Sequence, residues 1–436
     1  MAGVLYAQTY GKAVGPVPTL LADRASTPRQ VPTEPPPATA LAALRATRAG
    51  TVLGPGWSER ERWTAAALEA VRVRRLTPVD RYVAHRAYPS PRGLFGADAH
   101  LVLADGVRTA DAYAVALGVP ARPADAPGAD GADAPGADRA EAGWTTADAP
   151  HLLVTAHPER FPTPYGSLRP ALAELEAGHL TAVLALTAHR AGLPVEVRLG
   201  PAPAGSGTRA RSHDAGPGVV ATLRARPGTG GQVGQAVWVG PGDVARLDAL
   251  VAPGEPLTDW LDRRSSGSSF DNLVTIAPTP EADAVAVDAA LRAALEAAAR
   301  LAPPGGLRLF RHRLADGSLA RSEVLPADGA PFEGPAGTLF SAPLGWSLVA
   351  DVSAWTAAHA AAAPARLHAV LGFVAQWGAL AAAARHVALR PARNHDDAAW
   401  AAALRLPLGH VVAYQLWARP LPDGGTPLSP LGMAVS

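Results

Sequence analysis

Two long stretches of this 436-residue chain are apolar on nearly every helical face. Leu172–Leu193, "LAELEAGHLTAVLALTAHRAGL", carries no charged side chain between His179 and His189. A helix that is hydrophobic all round is buried, not laid on a surface. Leu367–Pro391, "LHAVLGFVAQWGALAAAARHVALRP", has the same character. The wider apolar run Ala357–Leu389 is broken by Arg366, His368, Gln376 and Arg385, which predicts a buried helix and not a membrane span. A further helix is expected over Ser58–Arg74, opening with a serine cap and early glutamates. "AHLVLADG" (Ala99–Gly106) reads as a strand entering a turn.

The two apolar stretches share an order of features: a glycine, a ring, an apolar run, and a close on "HRAGLP" or "RHVALRP". Gly178 and Gly372 align, 194 positions apart. Arg24 and Ser26 in "DRASTPRQ" echo Arg263 and Ser265 in "DRRSSGSSF". The stretch Tyr88–Gly106 echoes Ala302–Gly317, each running from a proline-rich turn through a strand to Ala-Asp-Gly. This predicts two related halves, over 61–250 and 251–436, behind a proline-rich arm over 1–60. The first half holds two expected disordered loops, about 121–143 with its repeated "DAPGAD" and about 201–218. "GTGGQVGQ" (Gly228–Gln235) leads into a strand-like "AVWVG", so it reads as a hairpin turn and not a dinucleotide loop.

Composition narrows the chemistry. Hydrophobic residues at 48% and charged residues at 18% allow large cores. A net charge of +1 gives no reason to expect nucleic acid or an anionic membrane as partner. The absence of cysteine excludes disulfides, thiolate metal sites and a cysteine nucleophile. The histidines are scattered, with no H-E-x-x-H and no close His/Asp set, so no metal is expected, and no nucleophile elbow occurs. The N-terminus lacks the pattern of a signal peptide, and a cytoplasmic protein is expected.

The order of "RRS", a helix, a "PS" turn into a strand, and "LEAGH" opening a buried helix that closes on "GLP" resembles the nitroreductase-like flavoproteins. It looks most similar to the azoline dehydrogenases of thiazole- and oxazole-modified peptide pathways, over roughly 80–200 and 258–420. The resemblance implies an α+β fold in which two nitroreductase-like units pack through long central helices, here as tandem halves forming a pseudo-dimer. It implies FMN at their interface. The arginine-serine motif and basic groups near the C-terminus would hold the phosphate, and the proline-serine turn would lie by the ring and ribityl chain. One composite site would join Arg263, Arg264 and Ser265 with Pro89, Ser90, Arg92 and Gly93. A second would join Arg24 and Ser26 with Pro303–Gly306, where the serine is missing, and is expected to be degenerate. By the same resemblance Arg393 and Asn394 approach the flavin edge, and Arg419 is the basic group of the C-terminal segment. Tyr165 matches the family's tyrosine, while Pro164 stands where the family carries lysine and Gly267 where its motif carries a basic residue. Lys12 is the only lysine in the chain.

Each residue also has a plainer reading. Guanidinium forks pair bidentately with phosphate oxygens; taken alone, "DRRSSGSSF" also reads as a solvated turn between halves. Tyr165 could move a proton if a cation such as Arg169 lowered its pKa from about 10, or it could be a half-buried loop tyrosine. His179 reads as a hydrogen-bonded structural residue, and Asn394 or Asp396 as a helix cap. The expected function is FMN-dependent oxidation of azolines to azoles in a ribosomally made peptide, with Tyr165 as the catalytic residue. The expected partners are the modified precursor peptide and a cyclodehydratase or other peptide-modifying protein; self-association stays open. Two rival functions remain: a flavin oxidoreductase acting on a small molecule, and a flavin-free scaffold subunit of a peptide-modifying complex.

Overall fold

The computed structural model describes residues 33–34, 42, 56–76, 84–104, 106–111, 116–118, 150–200, 218–225, 239–251, 261–264, 280–315, 318–323, 344–393, 395, 397–420 and 426–427. The segments 121–143 and 228–235, and nearly all of 201–218 and of the arm over 1–60, lie outside the described residues. The described helices are α1 (Glu59–Val71), α2 (Leu168–Arg190), α3 (Pro241–Val251), α4 (Glu281–Ala298), α5 (Val352–His359), α6 (Ala363–Ala383) and α7 (Asp397–Ala403).

The first helix begins where its cap dictates. Glu61 N donates to Ser58 Oγ at 3.2 Å and Ser58 N donates to Glu61 Oε2 at 2.8 Å, a reciprocal capping box. The long apolar run spans four elements, α5, a short 3-10 turn at Ala360–Ala362, α6 and a strand, and not the single helix expected over 357–389. Ala360 (φ 48°) and His386 (φ 55°) adopt the left-handed conformation and stop α5 and α6, and Val387–Ala392 continues as a strand.

The core is organised around α2 and α6, almost every residue of which is buried. They cross glycine to glycine. A Cβ on Gly178 would stand 2.2 Å from Ala369 O and 2.9 Å from Phe373 N. A Cβ on Gly372 would stand 2.0 Å from Leu175 O and 3.0 Å from His179 N. Leu175 and Ala369, like His179 and Phe373, are 194 positions apart, so the contacts exchange when the helices exchange. Glu174 and His368, at the same separation, meet across the crossing at 2.8 Å. These are the contacts of a local two-fold axis.

Sheets flank this pair. In chain order the strands are β1 (Thr33–Glu34), β2 (Arg75–Leu76), β3 (Ala84–His85), β4 (Ala97–Leu103), β5 (Gly106–Asp111), β6 (Ala116–Gly118), β7 (His151–Ala156) and β8 (Val195–Leu199). They continue as β9 (Gly218–Ala225), β10 (Leu307–Ala315), β11 (Ser318–Glu323), β12 (Leu344–Asp351), β13 (Val387–Ala392), β14 (His410–Pro420) and β15 (Thr426–Pro427). One sheet has the order β1-β6-β5-β4-β7-β9-β8, and another β11-β10-β12-β14-β13. The five strands β5-β4-β7-β9-β8 thus find their counterparts, in order, in the second sheet. A register shift falls between Val154 and Thr155 where β7 meets β9, and between Leu348 and Val349 where β12 meets β14, again 194 positions apart. The small sheet β15-β2-β3 ties the C-terminal segment to the strand after α1.

The architecture is α+β. Among the described residues one helix, α2, is long and apolar enough to cross a membrane, and 89% of its most apolar stretch is buried inside the protein.

Candidate functional site

Near the end of α1 four guanidiniums gather in the interior. Arg72, Arg74, Arg75 and Arg264 are each at most 7% exposed. Glu69, fully buried, meets Arg72 Nε and Arg74 Nη1, both at 2.9 Å. Asp262 Oδ1 bridges Arg72 (3.1 Å) and Arg74 (3.0 Å). The first residue of "DRRSS" therefore docks on Arg72 and Arg74, just past the end of α1, and this docking carries Arg264 inward. Arg264 Nη2 donates to Arg86 O at 3.1 Å, two residues before Tyr88 of the proline-serine turn. Burial, then Arg75 and Arg74, push the Arg264 pKa down to about 9. Crowded positive charge in a low dielectric is relieved by an anion with several acceptor oxygens.

The turn beside it is locked by polar contacts. Ser90 Oγ accepts from Phe95 N at 2.7 Å and donates to Glu176 Oε2 at 2.8 Å. Gly93 (φ 64°) supplies the left-handed residue this tight loop needs. Phe95 (φ 50°) adopts the same region without glycine's freedom, a strain its surroundings must hold. They do: Arg86 stacks on the Phe95 ring at 3.7 Å, and Arg160 Nη1 donates to Phe95 O at 2.9 Å.

Glu176 is buried, and its Oε1 has no hydrogen bond among the described residues. Burial raises its pKa to about 7, against the opposing hydrogen bond from Ser90. A raised carboxyl pKa means the folded state holds the proton more tightly than the unfolded chain. The associated stability is full below the ordinary Glu value of 4.5 and is lost as pH climbs through about 7. Glu176→Gln should flatten that decline in urea unfolding measured from pH 4 to 8. An unchanged pH profile in the variant would assign the decline to another group.

A second polar chain crosses the helix pair. Gln376 Nε2 donates to Ala87 O at 2.8 Å, which turns Gln376 Oε1 toward His179 Nδ1 at 2.9 Å. His179 Nδ1 therefore carries the proton, and its Nε2 accepts from the Tyr414 hydroxyl at 3.0 Å. Burial pushes the His179 pKa down to about 3 and raises that of Tyr414. The chain is neutral and points one way: Tyr414 to His179 to Gln376 to Ala87. It fixes the proline-serine turn to α2, α6 and β14 at once.

The structure thus gathers Arg264, Pro89, Ser90 and Gly93 in one region, with Glu176, His179, Gln376 and Tyr414. Arg263 lies beside them in the chain, its Nε 3.3 Å from Ala383 O at the end of α6. Arg92 belongs to the short helix Pro91–Gly93. Tyr165 ends the short helix Thr163–Tyr165, half-buried and edge-on to Phe161 at 6.3 Å. Phe161 in turn packs against Gly96. Arg169 Nε donates to Pro158 O at 3.0 Å. Arg393 pairs with Asp397 Oδ1 at 3.1 Å, beside a smaller apolar cluster of Ala392, Trp400 and Trp417. Arg419 is placed in β14 opposite Ala388. Ser265, Gly267, Asn394, Lys12, Arg24 and Ser26 lie outside the described residues. Arg74, Arg75, Arg86, Glu176, Gln376 and Tyr414 were not among the expected site residues. Arg74 and Arg75 stand in the basic stretch "RVRRL" (Arg72–Leu76), a signal in the sequence itself; Gln376 and Tyr414 enter only through tertiary packing.

No family model and no curated protein matches the sequence. Solved structures do. A crystal structure from Anabaena variabilis ATCC 29413, described as a "putative nitroreductase", superposes with a TM-score of 0.59 at 14% identity, covering 96% of this chain and 99% of that one. The fold is nitroreductase-like. A second crystal structure of the same description, from Ralstonia eutropha JMP134, gives a TM-score of 0.30 at 17% identity over 39% of this chain and 85% of that one. The nitroreductase-like fold fits the α+β reading of the sequence and the long central helices around which both sheets pack.

Proposed function

We propose that the chain is an FMN-dependent oxidoreductase, and that its reaction is the oxidation of an azoline to an azole in a modified peptide. The observation that carries the flavin reading is the buried guanidinium set, with Arg264 pressed by Arg74 and Arg75, set against Ser90 and a Glu176 carboxyl with an unbonded oxygen. These groups suit FMN: the arginines offer forks to a phosphate, and Glu176 and Ser90 offer polar contacts beside it. FMN, when bound, supplies a two-electron acceptor. The chain's own residues bind, orient and handle the proton. Arg264, Arg74 and Arg75 would hold the phosphate, with Arg263 and Ser265 adjoining. Pro89, Ser90, Arg92 and Gly93 would line the ring side. Conversion of an azoline to an azole removes one hydride and one proton from the ring; Tyr165 would take the proton. The azoline specificity and the peptide partner rest on the sequence resemblance alone.

The test is direct. Purified protein, or protein reconstituted with FMN, should show a bound-flavin absorption spectrum and oxidise a thiazoline peptide with loss of two hydrogens by mass. A colourless protein that cannot be loaded sinks the flavin reading and favours a scaffold role. Flavin turnover of quinones without azoline oxidation would leave the cofactor and overturn the substrate.

The local two-fold makes the site one-sided. The positions related to Glu176, His179 and Gln376 are Val370, Phe373 and Ala182. Strand register relates Tyr414, opposite Leu348, to Ala221, opposite Val154. Each of these four polar residues has an apolar counterpart. Titration should therefore give one FMN per chain, and a saturating ratio of two would refute the one-sided reading.

A further inference from the structure

We propose that Asp98, His100 and His157 form a divalent-cation site, fit for zinc, on the face of the first sheet turned away from the helices. Sequence spacing hides it, because β4 and β7 must pair before the residues meet. Along β4 burial alternates, so Ala97 and Ala99 face the core while Asp98 and His100 share the other face. Asp98 pairs with Thr155, and His157 follows two residues on. The ligand atoms of Asp98, His100 and His157 then lie within 4.8 Å of one another.

The hydrogen-bond partners leave a place for a cation. His157 Nδ1 is 2.9 Å from the Glu159 carboxylate, which only accepts, so Nδ1 carries a proton. His157 Nε2 then faces Asp98 Oδ2 at 3.1 Å, another acceptor. Either a second proton or a metal ion must separate these lone pairs. His100 brings its Nε2 to the same place, 2.8 Å from Thr155 Oγ1, and that hydroxyl also lies 3.0 Å from His157 Nε2. With His157 protonated on Nδ1 alone, one hydroxyl proton cannot serve both imidazole lone pairs.

The outer partners match those that orient metal ligands. Glu159 holds the far nitrogen of His157, and Thr109 Oγ1 that of His100 at 2.9 Å. Arg160 fixes both oxygens of Asp98, at 2.8 and 2.5 Å. Two imidazoles and one carboxylate leave a fourth position for water, the coordination zinc accepts. A bound ion would clamp the start of β4 to the segment after β7. His157 N donates to Gly96 O at 2.8 Å, so the clamp adjoins Phe95 and Gly96 without being part of the proposed flavin pocket.

The full chain, stripped with a chelator and titrated with zinc chloride at pH 7.5 and pH 6, tests this. Calorimetry and metal analysis should give one zinc per chain, weaker at pH 6, because protons compete for the imidazoles. His100→Gln and His157→Gln, checked for folding by circular dichroism, should each weaken binding at least about tenfold. Cobalt loaded into the unmodified chain should give the intense visible bands of a tetrahedral ion, a readout independent of the variants. No zinc bound by the unmodified chain overturns the proposal. So does equal zinc binding by both variants, or a cobalt spectrum that stays octahedral. Flavin content does not enter any of these readouts.

Discussion

Arg264→Ala should purify without the absorption of bound FMN and take up added FMN at least about a hundredfold more weakly. The size follows from the loss of the proposed charge-assisted contact between Arg264 and the FMN phosphate, on the order of 3 kcal/mol. The variant should nonetheless keep its fold. Removing Arg264 also removes its repulsion by Arg74 and Arg75, the interactions that help push its pKa down to about 9. Circular dichroism and thermal unfolding of the flavin-free protein separate the two effects. Arg246→Ala is the control: Arg246 is 59% exposed in an ion pair with Glu296, and its removal should leave FMN uptake unchanged. Full flavin uptake by Arg264→Ala would remove this arginine from the proposed pocket.

Gly178→Ala and Gly372→Ala should each cost about 3 kcal/mol or more in urea unfolding. The new methyl would stand 2.2 Å from Ala369 O in one case and 2.0 Å from Leu175 O in the other. Both obstacles are backbone on a buried helix, so neither can swing aside as a side chain would. Alanine's better helix propensity returns only about 1 kcal/mol. Gly242→Ala in α3 is the contrast, since its Cβ would meet nothing within 4 Å and should be neutral or slightly stabilising. If both crossing variants unfolded like the parent, the helices would have room to move apart.

The features legible in the sequence are those in which local pattern and tertiary role coincide. All-round apolarity marks α2 because it is enclosed on every side. Ser58 and Glu61 mark the start of α1 because a cap is settled within four residues. Gly178 and Gly372 could be aligned because close helix approach demands glycine at matched positions. The wide apolar run reads as one helix, because composition does not disclose where Ala360 and His386 turn left-handed. Arg264 was visible through "RRS". Its crowding by Arg74 and Arg75 was not, because Asp262 must first dock on Arg72 and Arg74. Glu176 was visible only as a letter in "LEAGH"; its isolation comes from the packing around it. The three residues grouped at Asp98 were invisible for the same reason, being joined by strand pairing and not by spacing.

The glycine crossing also bears on how such a site can change. In a dimer of identical subunits every substitution near the axis appears twice, so both faces improve or fail together. Here the two faces belong to one chain and are written by different codons. Phe373 can fill one side while His179 serves the other. A single inherited change can therefore alter one face and leave the other intact, a freedom closed to a symmetric pair.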